Sequence, residues 1–261
     1  MTELSKIFLA SEKISQAESL ARNSYEISRI SFGANHPKSL KRGQVLVECL
    51  RKQGKLDDAQ KLSTNIVSNF QLSFGESHPD TLGAMDSLAK IAAARNDLSL
   101  ALDQYLEILK LKEKALGQMH PETLLTLNET ANIYRQLNKL EEAKKAQYMV
   151  YQRLQEKYGH EHPETLRSMN QLADLHLELG EEDEAYNISE RALEIELVLM
   201  GENDPMTLKT LFRIGKLHYL AGRTDDAMVI LGETLSKQEK LLGFDNSEAT
   251  LTRDLLNQIL S

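Results

Sequence analysis

Seven histidines and one cysteine are the residues of this chain most suited to metal or nucleophile chemistry. Four of the histidines are evenly placed: His36, His78, His120 and His162 stand 42 residues apart, each directly before a proline. A regular imidazole series invites a metal reading, but its spacing argues against one. Equivalent atoms of successive helical repeats lie on the order of 10 Å apart, whereas one ion holds its ligands at about 2 Å. His160 and His162 are close in sequence but have no visible third ligand. His176 and His218 fall within helical patterning and read as hydrogen-bonded packing residues. Cys49, between Glu48 and Leu50, lacks the electropositive setting that makes a thiolate and reads as a packing cysteine. No Ser/His/Asp set, paired-carboxylate constellation or phosphate-cradling glycine loop stands out. The expectation is therefore no catalytic residue, no metal site, no cofactor and no enzymatic activity.

The elements that carry these residues follow from a repeat. Gly33, Gly75, Gly117, Gly159, Gly201 and Gly243 are 42 residues apart, and so are Pro37, Pro79, Pro121, Pro163 and Pro205, which are all the prolines of the chain. Proline suits the first position of a helix, and glycine just past a helix end supplies a positive φ. A further series, Gly54, Asn96, Asn138, Gly180 and Gly222, contains only residues that tolerate the left-handed conformation. It falls in mid-repeat and predicts a sharp turn between two antiparallel helices. The second helix then opens on acids such as Asp57-Asp58, Glu141-Glu142 and Asp225-Asp226, which suit the helix dipole. A small residue recurs in it at Ala17, Ala59, Ala101, Ala143, Ala185 and Ala227. The first helix has a matching small position at Val47, Ala89, Ala131, Ala173 and Gly215, flanked by apolar residues such as Leu124, Leu127, Leu166, Met169 and Leu172 at spacings of three and four.

These residues resemble a known family. The run Gly-x-x-His-Pro-x-Thr-Leu, at Gly75–Leu82, Gly117–Leu124 and Gly159–Leu166, is similar to the tetratricopeptide repeat in its 42-residue form, found in kinesin light chains. Leu172-Ala173, Gly180 and Glu184-Ala185 add a second match. The resemblance implies an all-α, right-handed superhelical solenoid of antiparallel helix pairs. On this reading residues 1–261 are one solenoid: a partial repeat over 1–32, five full repeats over 33–246 and a capping helix over 247–261. Residues 1–11 would give part of a first helix, with Glu12 in place of the turn glycine. The last motif departs from the pattern at Gly243…Ser247-Glu248-Ala249-Thr250-Leu251, without proline and one residue longer. The resemblance also implies a protein-interaction scaffold or adaptor.

Charge and hydropathy bound the partners. The net charge is −8, which does not suit nonspecific nucleic-acid binding or a polybasic membrane anchor. No apolar window of about 18 residues is present and the N-terminus lacks a leader pattern, so a cytoplasmic setting is expected. The first helices should line a concave groove. The residues expected to face it include Arg51, Lys90, Asn128, Asn132, Arg135, Arg167, Asn170, Lys209, Phe212 and Lys216. With Lys41 and Lys52, the inferred groove has eight basic residues against four acidic ones (Glu48, Asp86, Asp174 and Glu178), an excess of four in a net acidic chain. The amides of Asn128, Asn132 and Asn170 suit a peptide main chain. The leading expectation is an acidic peptide or protein segment held in this groove. The alternative is a structural module of a larger or self-associating assembly, docking by its convex face or its ends, with a homo-oligomer possible.

Overall fold

The computed structural model describes residues 13–261, and all regular secondary structure among them is helical. The expected first-helix segment over residues 1–11, and Glu12, lie outside the described residues. Twelve helices follow: α1 (Ile14–Phe32), α2 (Pro37–Lys52), α3 (Leu56–Phe74), α4 (Pro79–Ala94), α5 (Leu98–Leu116), α6 (Pro121–Gln136), α7 (Leu140–Tyr158), α8 (Pro163–Glu178), α9 (Glu182–Leu199), α10 (Pro205–Leu220), α11 (Thr224–Leu242) and α12 (Ser247–Leu260). They fall into two compact units, α1–α6 up to residue 139 and α7–α12 from residue 140. In each unit consecutive helices pack on one another, and α2 also packs on α4 and α10 on α12.

The start of each first helix explains the histidine series. The Nδ1 of His36, His78, His120 and His162 accepts from the backbone N–H two residues on, at 3.1, 3.1, 3.2 and 3.2 Å. These histidines are N-caps held as the Nε2–H tautomer, and the following proline occupies N1. Asp204 and Asn246 fill the same position and make the same bond at 2.8 and 2.9 Å, so the last motif keeps the 42-residue register and is not one residue longer as the sequence suggests. Three imidazoles also stack on the aromatic residue that ends the preceding helix: Phe32–His36, Phe74–His78 and Tyr158–His162. The motif threonine closes the loop behind the cap, with Thr81 and Thr123 each donating to the carbonyl of Gly75 or Gly117 at 2.8 Å.

The mid-repeat turns are left-handed as the sequence predicts. Asn96 and Asn138 have φ of 62° and 57°, and Gly54, Gly180 and Gly222 have 74°, 74° and 75°. A Cβ on any of these three glycines would meet open space, so backbone conformation alone selects the residue.

The alanine series lies where helices approach most closely: all six members, from Ala17 to Ala227, are 0% exposed. Opposite them Ala89, Ala131 and Ala173 are also buried. Gly215 takes the approach furthest, because a Cβ there would stand 2.7 Å from both Cγ and Cδ2 of Leu231, itself fully buried. In unit 1 the core runs through Leu40, Leu46, Ile66, Phe70, Leu82, Ile91, Tyr105 and Ile108. In unit 2 it is built from Val150, Leu166, Met169, Leu172, Leu208, Leu217 and Leu231 among others. Cys49 is part of the unit 1 core, and burial pushes its thiol up to about 11.

Two predictions follow from this packing. His120→Ala lowers stability by about 1 kcal/mol through loss of the cap, while His120→Asp retains it; chemical denaturation of both variants checks the difference. Gly215→Ala costs roughly 1–3 kcal/mol by overpacking. Gly232→Ala, on the open face of α11 with nothing within 4 Å of the added Cβ, stabilises by roughly 0.5–1 kcal/mol. Thermal melts of the pair read the opposite signs.

Candidate peptide-binding site

In unit 1 the expected face residues stand at partly or fully exposed positions of the first helices α2, α4 and α6. Arg51 near the end of α2 is half-buried and donates twice to Glu48, at 2.9 and 2.6 Å. Those bonds hold the guanidinium above its ordinary value against the effect of burial. Lys90 on α4 is exposed, as is Arg135 on α6. Asn128 and Asn132 are half-buried on α6, and neither amide has a hydrogen-bond partner among the described residues. Beside them opens a cavity of about 450 Å³ lined by Arg51, Lys90, Ala93, Ala94, Tyr105, Glu129, Ile133 and Gln136.

Asp86 was expected among the face-lining acids, but it turns to a buried amine. Lys112 of α5 is 1% exposed and bonds to Asp86, to Thr126 at 2.9 Å and to Glu122 at 3.3 Å. Burial pushes the Asp86 carboxyl up, and the Lys112 ammonium acts in the opposite direction.

Unit 2 contradicts one expectation outright. Asn170 on α8 is only 7% exposed, and its amide is bonded at both ends. Its Nδ2 donates to Glu196 Oε1 at 2.5 Å. Its Oδ1 accepts from Thr210 and from Arg213 Nη1, both at 2.9 Å. Asn170 is therefore a structural residue inside the α8–α9–α10 junction and does not offer its amide to a peptide. The sequence reading missed Glu196 and Arg213, which are 0% and 2% exposed. Arg213 also binds Asp174 through Nε at 2.7 Å and Ser189 through Nη1 at 3.1 Å. Ser28, Phe70, Lys112, Leu154, Glu196 and Gln238 share one repeat position and all are buried, so the register marks the position as buried but does not name its partners.

The remaining expected residues of unit 2 are on α8 and α10, exposed or half-buried. Arg167 is exposed and pairs with Glu164 at 3.1 Å. Lys209 stands 3.6 Å from Asp174. Phe212 and Lys216 are half-buried, and Lys216 makes no ion pair among the described residues. His176 and His218 are hydrogen-bonded packing residues as expected, the first to Glu181 at 2.5 Å and the second accepting from Arg223 at 3.1 Å.

The basic excess is smaller than the sequence count. In unit 1 Lys41 pairs with Asp80 at 2.8 Å, much as Arg167 pairs with Glu164. Including that first-turn position in every repeat (Lys38, Asp80, Glu122, Glu164 and Met206), together with Glu129, narrows the excess from four to one. The cause is local: carboxylates at the helix N-terminus favour the dipole and fold back onto the face cations. Among the described residues no group of three or more His, Cys, Asp and Glu is placed to hold a metal ion, and no helix is long and apolar enough to cross a membrane.

The buried Glu196 makes stability depend on pH. Burial raises its carboxyl above the ordinary value of 4.5, the nearby Asp204 charge adds to this, and Asn170, Thr210 and Arg213 act against it. The folded chain thus keeps this proton to higher pH than the unfolded chain. The associated stability is fully present below pH 4.5 and is lost as pH rises through the folded value. Glu196→Gln should melt higher than the wild type at pH 8 and show a flatter profile between pH 5 and 8, which thermal melts across that range would measure.

Comparison with known proteins agrees with this architecture. A tetratricopeptide repeat family model matches residues 43–114 and 122–195, and a second tetratricopeptide repeat model matches residues 207–248. No curated protein sequence matches the chain. Among solved structures, a Podosopora anserina putative kinesin light chain with nearly identical TPR-like repeats is similar at 22% identity and a TM-score of 0.70, over 78% of this chain and 97% of that one. BtubC (BKLC) from P. vanneervenii is similar at 21% identity and a TM-score of 0.76, over 90% of this chain and 94% of that one. A Rap protein complexed with competence and sporulation factor shares the fold at 10% identity and a TM-score of 0.60, over 98% of this chain and 72% of that one. With its family models covering well over half of the sequence, and with capped helix pairs repeating every 42 residues, the chain belongs to the tetratricopeptide repeat family.

Proposed function

We propose that the chain is a cytoplasmic, non-enzymatic scaffold, its repeats acting as one array that holds an acidic, extended segment of a partner protein along the first helices. One observation carries this reading. Asn128 and Asn132 stand one helical turn apart on α6 with both amides uncommitted, although each side chain is already half-withdrawn from water. An amide so placed offers a donor and an acceptor to a main chain laid across it. Lys90 and Lys216, exposed or half-buried and without ion pairs among the described residues, supply attraction for acidic flanks. Arg51, Arg135, Arg167 and Lys209 add to the field, and Phe212 gives an apolar contact in unit 2. Arg51, Arg167 and Lys209 already pair with Glu48, Glu164 and Asp174, so their contribution is the smaller. Asn170 has no part in this binding.

A second reading has its own observation. Ile30 and Leu72 of unit 1 are 85% and 86% exposed, and Leu251 and Leu260 of α12 are 59% and 71% exposed. Such side chains suit docking by the second helices or by the end of the stack, in a larger or self-associating assembly. Light scattering over a concentration series separates the two readings, since a monomer at all concentrations counts against self-association.

For the leading reading, an acidic peptide taken from a library is titrated against the wild type and an Asn128→Ala/Asn132→Ala double variant. Loss of two hydrogen bonds should weaken binding by about 2 kcal/mol, and affinity should fall as salt rises. Equal, salt-independent affinity for both proteins would place the binding surface elsewhere.

A further inference from the structure

The unit 1 cavity exists because α4 lacks bulk where its neighbours carry it. Ala93 and Ala94 occupy the repeat positions held by Arg51 and Lys52 on α2 and by Arg135 and Gln136 on α6. The gap of about 450 Å³ has an apolar floor of Ala93, Ala94 and Ile133. A gap between small residues is not in itself a binding site. Tyr105 of α5 supplies the independent observation. It is 2% exposed, it lines the cavity, and its hydroxyl has no hydrogen-bond partner among the described residues. Its ring is buried while the hydroxyl is reached from the cavity, so its donor is open to an acceptor that enters there.

The walls define that acceptor. Burial and the Glu129 carboxylate both raise the Tyr105 phenol, so it remains an O–H donor. Arg51 commits Nε and Nη2 to Glu48, which leaves Nη1 for a ligand. Lys90 brings a second cation. With the Arg51 charge offset by Glu48, Lys90 is the uncommitted cation, and together with the free Nη1 and the phenol donor it favours an oxygen anion. Glu129 and Gln136 stand in the same wall, and the negative charge of Glu129 disfavours a dianion such as a phosphate ester. Their oxygens suit the N–H groups beside the bound side chain.

We propose that this cavity is the subsite for one carboxylate side chain of the partner segment, its anion on Tyr105, Arg51 and Lys90 and its stem on Ala93, Ala94 and Ile133. The proposal rests on the acidic-segment reading and assigns it a specific anchor. A single hydrogen bond to a charged group is worth tenfold or more in affinity, so the Tyr105 hydroxyl is a sensitive handle.

The test uses the full chain and the probe N-acetyl-glutamate amide, followed by amide chemical shifts in an NMR titration, with N-acetyl-glutamine amide as the neutral isostere. The glutamate probe should shift the amides of Ala93, Ala94 and Ile133, and the glutamine probe should bind at least tenfold more weakly. Tyr105→Phe should weaken the glutamate probe about tenfold, and Ala93→Leu, which fills the cavity, should abolish its shifts. Equal binding of the two probes, or shifts unaffected by Tyr105→Phe, would overturn the subsite. An acidic peptide titrated in parallel keeps the two readings apart. If it binds wild type and Ala93→Leu equally, the subsite falls and the acidic-segment reading stands. If no acidic peptide binds at all, that reading fails, and with it the peptide source of the carboxylate, even where the glutamate probe is captured.

Discussion

The structure depends on where each first helix begins. A helix turns about 100° per residue, so a start displaced by one position would rotate every later side chain away from its contacts. The start is fixed at several points at once: a glycine with positive φ, a capping side chain and a proline at N1 from α2 to α10, and in α4 and α6 also a threonine bonded back to the glycine carbonyl. Every first helix from α2 to α10 is consequently 16 residues long. That common length keeps the small residues of the first helix buried against the second, as Gly215 is against Leu231. It also holds Lys90, Asn128 and Asn132 on an accessible face.

Much of this was legible in the sequence because each device tolerates few residue types. Positive φ admits Gly and Asn, and N1 favours proline, so the turns and starts announce themselves by identity. The histidines were harder to read. Four imidazoles in register suggest coordination, yet Asp204 and Asn246 at the same position are ordinary capping residues and disclose what the histidines do. Imidazole can do this through Nδ1, and the stacked aromatic before it keeps the ring in place.

The buried polar junctions were not legible, because there the repeat conserves position without conserving chemistry. Phe70, Lys112 and Glu196 stand at one register position, all buried, and each demands different partners. Lys112 draws Asp86 and Thr126 inward; Glu196 draws Asn170, which Arg213 and Thr210 complete. This is why Asn128 and Asn170, equivalent by sequence, differ in role: a side chain from another helix, absent from any pattern read along one helix, decides which amide is bonded. The same effect reduced the apparent basic excess, since first-turn carboxylates reach the face cations in three dimensions.

On the proposed function, partners engage the first helices. Hydrogen–deuterium exchange of the full chain, with and without a bound acidic peptide, tests it most directly. Exchange should slow in the C-terminal halves of α2, α4 and α6, with the second helices unchanged. Protection confined to the second helices or to α12 would contradict it.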